Sequence, residues 1–142
     1  MRNALYTVVA IVAAATVVLV LLIAVEAFSA VVHPFPEDFG GTTEEICLHV
    51  ERYPHWVLAV VVPAWAAAAF AGVWLAQRIG NLVSATIIGL LLVASLVLNI
   101  SMLPYPLWFK MATLVTVPAA VILGTRLGHP KRPLFVDSTA GS

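Results

Sequence analysis

The residue best placed to do chemistry is Glu26, a carboxylate that lies in otherwise apolar sequence. No charged residue occurs from Ala4 to Val25, and His33 follows Glu26 at a spacing of seven residues, which places both side chains on one face of a helix. A carboxylate in such surroundings can bind a proton, a cation or a ligand. The alternative is a structural role, in which the carboxyl group is protonated or paired inside the protein.

Other polar side chains that can share a site with Glu26 come from distant parts of the chain. Asn99 lies near the end of a later apolar segment, and Lys110 lies near the start of the next one. Lys110 has a long side chain, which can extend toward water or reach Glu26. We therefore predict a polar ligand pocket formed by Glu26, His33, His55, Asn99, Trp108 and Lys110.

The elements that position these residues are apolar helices. The chain has 142 residues, of which 62% are hydrophobic and only 10% are charged, and its mean hydropathy is +1.04. Apolar runs of about 18 residues or more are typical of membrane-spanning helices. The net charge of zero gives no reason to expect a nucleic-acid partner. Cys47 is the single cysteine, so the chain has no internal disulfide.

The predicted fold is all-α, with one domain over residues 1–127 that forms a four-helix antiparallel transmembrane bundle. The predicted spans cover about residues 5–32, 56–76, 82–103 and 107–123. The outer loop, residues 33–55, should contain a short helix, because Thr42 and Glu45 have the spacing of a capping box. Residues 128–142 are predicted to be a disordered cytoplasmic tail.

The first apolar run could be a retained helix or a cleaved signal peptide. A signal peptide has an apolar core of roughly 7–15 residues. The uncharged run from Ala4 to Val25 is longer than that, which favours a retained helix. The alternative is cleavage near Ala27-Phe28-Ser29, where small residues have a suitable spacing.

The distribution of positive charge predicts the orientation in the membrane. With four spans, the side that holds both termini carries five positive residues, and the other side carries only Arg52 and Lys110. The five are Arg2, Arg78, Arg126, Lys131 and Arg132. Positive residues concentrate on the cytoplasmic side. We therefore expect a multi-pass protein of the bacterial inner membrane, surrounded by lipids, with both termini in the cytoplasm.

The second predicted span carries small residues at every fourth position. They are Ala64, Ala68, Gly72, Ala76 and Gly80. In a membrane, small residues let two helices approach closely and gain dispersion contacts. The pattern favours packing against another helix of the same chain. Contact between copies in a homo-oligomer is the alternative, and a membrane-protein partner is another.

The sequence contains none of the common catalytic or nucleotide-binding motifs, such as GxSxG, HExxH or a P-loop. Glu45 and His49 have the i, i+4 spacing of half a metal site, but no complete ligand set accompanies them. We therefore predict no catalytic residue, no metal site and no cofactor.

A resemblance supports this topology. The residues that carry it are Glu26, His33-Pro34-Phe35-Pro36, His55-Trp56, Arg78-Ile79-Gly80, Asn99, Met102 and Pro104-Tyr105-Pro106-Leu107-Trp108. With these residues the chain resembles small four-helix bacterial membrane proteins of about this length, over most of residues 5–127. The resemblance implies the four-helix topology and brings no activity with it.

The sequence is compatible with three functions. The leading one is a non-enzymatic bundle that binds a lipid, a small ligand or a partner protein through a polar pocket in the outer leaflet. The polar residues of the spans concentrate in their outer halves, so a pocket fits better than a continuous pore. One alternative is a small proton-linked transporter or channel that uses Glu26. The other is a membrane enzyme or metal-binding protein that uses His33, His49 and His55 of the outer loop.

Overall fold

The computed structural model describes residues 2–129, which form five α-helices. Four of them are long and apolar enough to cross a membrane, and the fifth is the short helix expected in the loop. In chain order they are α1 (Arg2–Val32), α2 (Thr43–Glu51), α3 (His55–Ile79), α4 (Leu82–Met102) and α5 (Leu107–Gly128). The prediction of an all-helical protein with four long apolar helices is confirmed.

Two helices extend beyond their predicted ends. α3 continues past Ala76 to Ile79, and α5 continues past Leu123 to Gly128. The predicted ends followed the loss of apolar residues, but a helix can continue through polar residues as long as its backbone hydrogen bonds are made. Arg126 in the last turn of α5 also suits the negative end of the helix dipole. The rest of the predicted tail, residues 130–142, lies outside the described residues.

Local side-chain hydrogen bonds define where two helices begin. At α2, the Thr42 hydroxyl accepts from the Glu45 amide, and the Glu45 carboxylate accepts from the Thr42 amide at 3.0 Å, so the predicted capping box is confirmed. At α4, Asn81 and Ser84 form a second capping box. Each box satisfies amides that the first turn of a helix leaves without partners.

α3 is the central helix of the structure. It contacts α1, α4 and α5, while α4 also contacts α1 and α5. No Cα atom of α1 comes within 8 Å of one in α5. The helices therefore have a diamond arrangement, with α3 and α4 facing each other across its short diagonal and α1 and α5 at the far corners.

Glycines allow the closest approaches between these helices. A Cβ atom on Gly72 of α3 would lie 2.2 Å from a methyl group of Val18 in α1. A Cβ atom on Gly124 of α5 would lie 2.8 Å from the carbonyl oxygen of Phe70 in α3. Cβ atoms in proteins essentially never lie this close to a non-bonded atom. The small residues at these positions therefore let α3 pack directly against α1 on one side and α5 on the other.

The predicted stripe of small residues in α3 faces other helices of the same chain for most of its length. Ala68, Gly72 and Ala76 are buried, and a Cβ atom on Gly80 would lie 2.6 Å from Ala10 of α1. Ala64 is half-buried. The contacts of Gly72 and Gly80 thus fit the intramolecular interpretation of the stripe. A contact between copies of the chain stays an untested alternative.

Candidate ligand-binding site

A cavity of about 270 Å³ lies between the second halves of α1 and α4. Four helices contribute to its walls, which are mainly apolar with a few polar side chains. The lining residues are Leu22, Glu26, Trp65, Ala68, Ala69, Leu92, Ser95, Leu96, Asn99 and Val117. This composition is typical of sites for small molecules, in which apolar walls supply most of the contact and a few polar groups fix the orientation.

The cavity forms where α1 and α4 no longer pack directly against each other. Nearer their N-terminal ends, the Asn81 side-chain amide donates to the Thr7 hydroxyl at 2.7 Å, and Ala14 packs in one cluster with Ala85. Further along, the wall contributed by α3 includes Ala68 and Ala69. Alanine side chains are too short to fill the space between helices, so a cavity remains.

Two polar atoms of the lining residues are buried without a hydrogen-bond partner among the described residues. They are the Nε1 donor of Trp65 and the Oδ1 acceptor of Asn99. A buried polar group without a partner typically costs roughly 1–3 kcal/mol. One unpartnered donor and one unpartnered acceptor therefore belong to residues that line the same cavity.

Glu26 adds a carboxylate to this cavity. Its side chain is exposed on the surface of the bundle, as is Ser95 on the facing helix, so both lie where the cavity opens between α1 and α4. Among residues 2–129, no ion pair joins Glu26 to Lys110. Of the two alternatives for Lys110, an ion pair with Glu26 is therefore not observed. Lys110 belongs to α5, and no Cα atom of α5 comes within 8 Å of one in α1.

A second, much smaller cavity of about 20 Å³ lies beside Glu26 on the side of the loop. Its polar lining residues are Glu26, Ser29, Tyr53, Trp65 and Tyr105. Its volume is close to that needed to hold one water molecule. Burial, and secondarily the negative charge of Glu26, raise the pKa of the Tyr53 and Tyr105 hydroxyls, so both are neutral hydrogen-bond donors at physiological pH.

His33 lies outside both cavities, in a cluster of rings that docks α2 against the end of α1. The His49 ring lies between His33 and Phe35, with ring centroids 4.3 Å and 4.2 Å away, and both pairs are stacked. Tyr53 packs against His33, with ring centroids 4.8 Å apart. Burial lowers the pKa of His49, and the neighbouring His33 lowers it further. The two histidines therefore have a packing role here.

The structure brings together only part of the predicted pocket. Glu26 and Asn99 line the same cavity. His55 and Trp108 instead pack against each other at the start of α3 and α5, with ring centroids 5.9 Å apart. These two residues, together with His33 and Lys110, are not among the lining residues of the cavity.

The sequence interpretation missed Trp65 as a site residue. Tryptophans of membrane-spanning helices concentrate at the two membrane interfaces. Trp65 instead follows the start of α3 by ten residues, or about 15 Å at 1.5 Å per residue. A tryptophan this far into a span places an N–H group in apolar surroundings. The position of Trp65 within the apolar segment was therefore the feature of the sequence that could have indicated a site.

The described residues contain no group of three or more His, Cys, Asp or Glu side chains that could hold a metal ion. Comparison with protein-family models, with curated proteins and with solved structures gives no match. The function must therefore be inferred from the site itself.

Proposed function

We propose that this protein is a multi-pass membrane protein that binds an amphiphilic molecule in the cavity between α1 and α4. The observation that carries the proposal is that two residues lining a mainly apolar cavity have buried polar atoms, Trp65 Nε1 and Asn99 Oδ1, with no hydrogen-bond partner among the described residues. Glu26 and Ser95 add polar groups at its opening. An amphiphile satisfies the polar atoms with its head and contacts the apolar walls with its carbon chain.

The size of the cavity favours a molecule that is only partly enclosed. Sites that enclose a whole drug-sized molecule have volumes of roughly 300–1,000 Å³, and this cavity has about 270 Å³. A head group with several carbon atoms fits inside. A longer chain has to continue outward between α1 and α4, where the surrounding lipid accepts it.

In this proposal, the four long helices form an antiparallel bundle in the membrane. Contacts between α3 and α4 support this, since Ser84 near the start of α4 donates to the Ala76 carbonyl near the end of α3 at 2.9 Å. Ala69, which comes earlier in α3, packs in one cluster with Leu96, which comes later in α4. The excess of positive residues on the side of the termini favours cytoplasmic termini. Such a topology suits an inner membrane, and the cavity then lies in the outer half of the bilayer.

Tryptophan fluorescence tests this proposal. In a variant with Trp56, Trp74 and Trp108 replaced by phenylalanine, Trp65 is the only remaining tryptophan. The probe is 2-bromooctan-1-ol, because a bromine atom quenches indole fluorescence only on close contact. We expect saturable quenching of Trp65 in nonionic detergent.

A matched pair of variants provides the control. Ser95 and Ser101 are both exposed residues of α4, but only Ser95 lines the cavity. Ser95→Leu should weaken the quenching by narrowing the opening, while Ser101→Leu should leave it unchanged. Quenching that rises linearly with the probe, or that responds equally to both variants, would refute the proposal.

A second candidate function is a proton-linked transporter. The small cavity favours it, because Glu26, Tyr53 and Tyr105 form a polar cluster that leads from the main cavity toward the loop. Proton flux into liposomes tests this function. A flux that Glu26→Gln abolishes would move it ahead of simple binding, and no flux above that of empty vesicles would leave binding as the function.

A further inference from the structure

We infer that the amphiphile bound between α1 and α4 has a positively charged head group of the alkylammonium class, held by Glu26. This inference deepens the proposed function and depends on it. It states the charge of the ligand, which the size and shape of the cavity do not determine. The evidence is the balance of charge in and around the cavity.

The cavity contains a negative group and no positive one. Within residues 4–129, Glu26 is the only charged residue that lines it, and no arginine or lysine of this range is among the lining residues. Lys110 does not pair with Glu26 within the described part of the chain. A carboxylate in apolar surroundings requires a positive partner or hydrogen bonds in order to stay ionised. An ammonium head supplies both, because it carries a positive charge and N–H donors.

The aromatic residues around Glu26 suit the same kind of head group. Trp65 lines both cavities beside Glu26, and Tyr105 and Phe109 line the smaller one. Trp65 packs edge-on against Phe109, with ring centroids 5.6 Å apart, so its ring is held in place. Ammonium groups are attracted to the faces of aromatic rings, most strongly to tryptophan. The Asn99 Oδ1 atom, which has no hydrogen-bond partner in the described part of the chain, can accept one of the N–H groups.

The same balance of charge disfavours phospholipids and anionic amphiphiles. A phospholipid head group includes a phosphate, and no arginine or lysine among the described residues lines the cavity to neutralise it. Glu26 lies seven residues before His33, or about 10 Å deeper along α1. A phosphate at that depth would be buried next to a carboxylate. A single-chain amine avoids this cost, and its carbon chain leaves the cavity between α1 and α4.

Competition for the cavity tests this inference. The starting point is Trp65 quenched by 2-bromooctan-1-ol, and the competitors are n-octylammonium, n-octanol and n-octanoate at neutral pH. They have the same chain length and differ in head-group charge. We expect n-octylammonium to relieve the quenching at a concentration at least tenfold lower than n-octanol, and n-octanoate to be the weakest competitor.

Two substitutions of Glu26 assign the effect to its charge. Glu26→Gln keeps the shape of an exposed side chain and removes the charge, so the advantage of n-octylammonium over n-octanol should disappear. Glu26→Asp keeps the charge and should retain most of the advantage. Competition by n-octanol should change less than twofold in both variants.

The outcomes separate this inference from the proposed function. Saturable quenching of Trp65 with equal competition by n-octylammonium and n-octanol would overturn the inference and leave the proposed function intact. An n-octylammonium advantage that survives Glu26→Gln would also overturn the inference. Absence of saturable quenching by 2-bromooctan-1-ol would overturn both.

Discussion

Replacing Gly72 by alanine should destabilise the protein, and replacing Val18 as well should reverse the sign of the effect. The added Cβ atom would lie 2.2 Å from a Val18 methyl carbon, while ordinary contacts begin at 3.4 Å. Val18 is 7% exposed and β-branched, so it has little freedom to rotate away. The helices must then shift apart, and such overpacking typically costs about 1–3 kcal/mol.

The double variant separates this clash from the intrinsic effect of alanine on the helix. Alanine favours a helix over glycine by about 1 kcal/mol, which offsets part of the clash in the single variant. Val18→Ala removes the offending methyl group. In that background, Gly72→Ala should stabilise the protein by up to about 1 kcal/mol. The expected coupling energy between the two substitutions is therefore about 1–3 kcal/mol.

The assay is reversible unfolding in mixed detergent micelles, applied to the native protein, both single variants and the double variant. The cycle also tests the alternative role of the small-residue stripe. If Gly72 instead contacts a second copy of the chain, Val18→Ala cannot relieve the effect of Gly72→Ala. Additive free energies of unfolding would therefore show that this contact between α1 and α3 is not the one that stabilises the protein.

Three further predictions concern the loop and the topology. Burial lowers the pKa of His49 in the folded protein below its ordinary value of 6.5. The neutral His49 ring therefore stabilises the docked α2 fully above pH 6.5, and this stabilisation is lost as the pH falls through the lowered pKa. Hydrogen exchange of residues 43–51, corrected for intrinsic rates, should therefore accelerate at acid pH. His49→Phe should remove this pH dependence, and equal pH profiles for the native protein and the variant would contradict the role of His49. Thr42→Ala removes the acceptor for the Glu45 amide, so α2 should lose about 1 kcal/mol of stability. Hydrogen exchange in the first turn of α2 should then accelerate several-fold, and unchanged exchange rates would show that the cap contributes no stability. In intact cells, an impermeant thiol reagent should label Cys47 but not a cysteine introduced at Ser138, and the opposite pattern would refute cytoplasmic termini.

The helices and their caps were predictable because the interactions that form them are local. Long apolar runs predict long helices, and Thr42 and Glu45 are only three residues apart. The ends of α3 and α5 were less well predicted, since polar residues such as Gln77 and Arg126 continue a helix beyond its apolar part. Hydropathy reports where a chain is apolar, but hydrogen bonding decides where a helix ends.

The candidate site was only partly predictable. Glu26 and Asn99 stood out as polar residues in apolar segments, and they line the same cavity. Trp65 did not stand out, because a tryptophan counts as apolar in a hydropathy profile even though its N–H group requires a partner. His33 has the spacing that places it on one face of α1 with Glu26, but its ring stacks on His49 of α2, a contact that spacing within one helix cannot predict.

The sequence by itself determined that this protein has four apolar helices, a short capped helix in the loop and one carboxylate in an apolar segment, because composition and short spacings suffice for each. Only the tertiary structure decided which polar residues meet. Glu26, Trp65 and Asn99 come from three helices, and their meeting depends on how far each helix is rotated about its axis and on which neighbours it has. Contacts between residues far apart in the chain, such as Gly72 with Val18, determine both, and no local pattern encodes them.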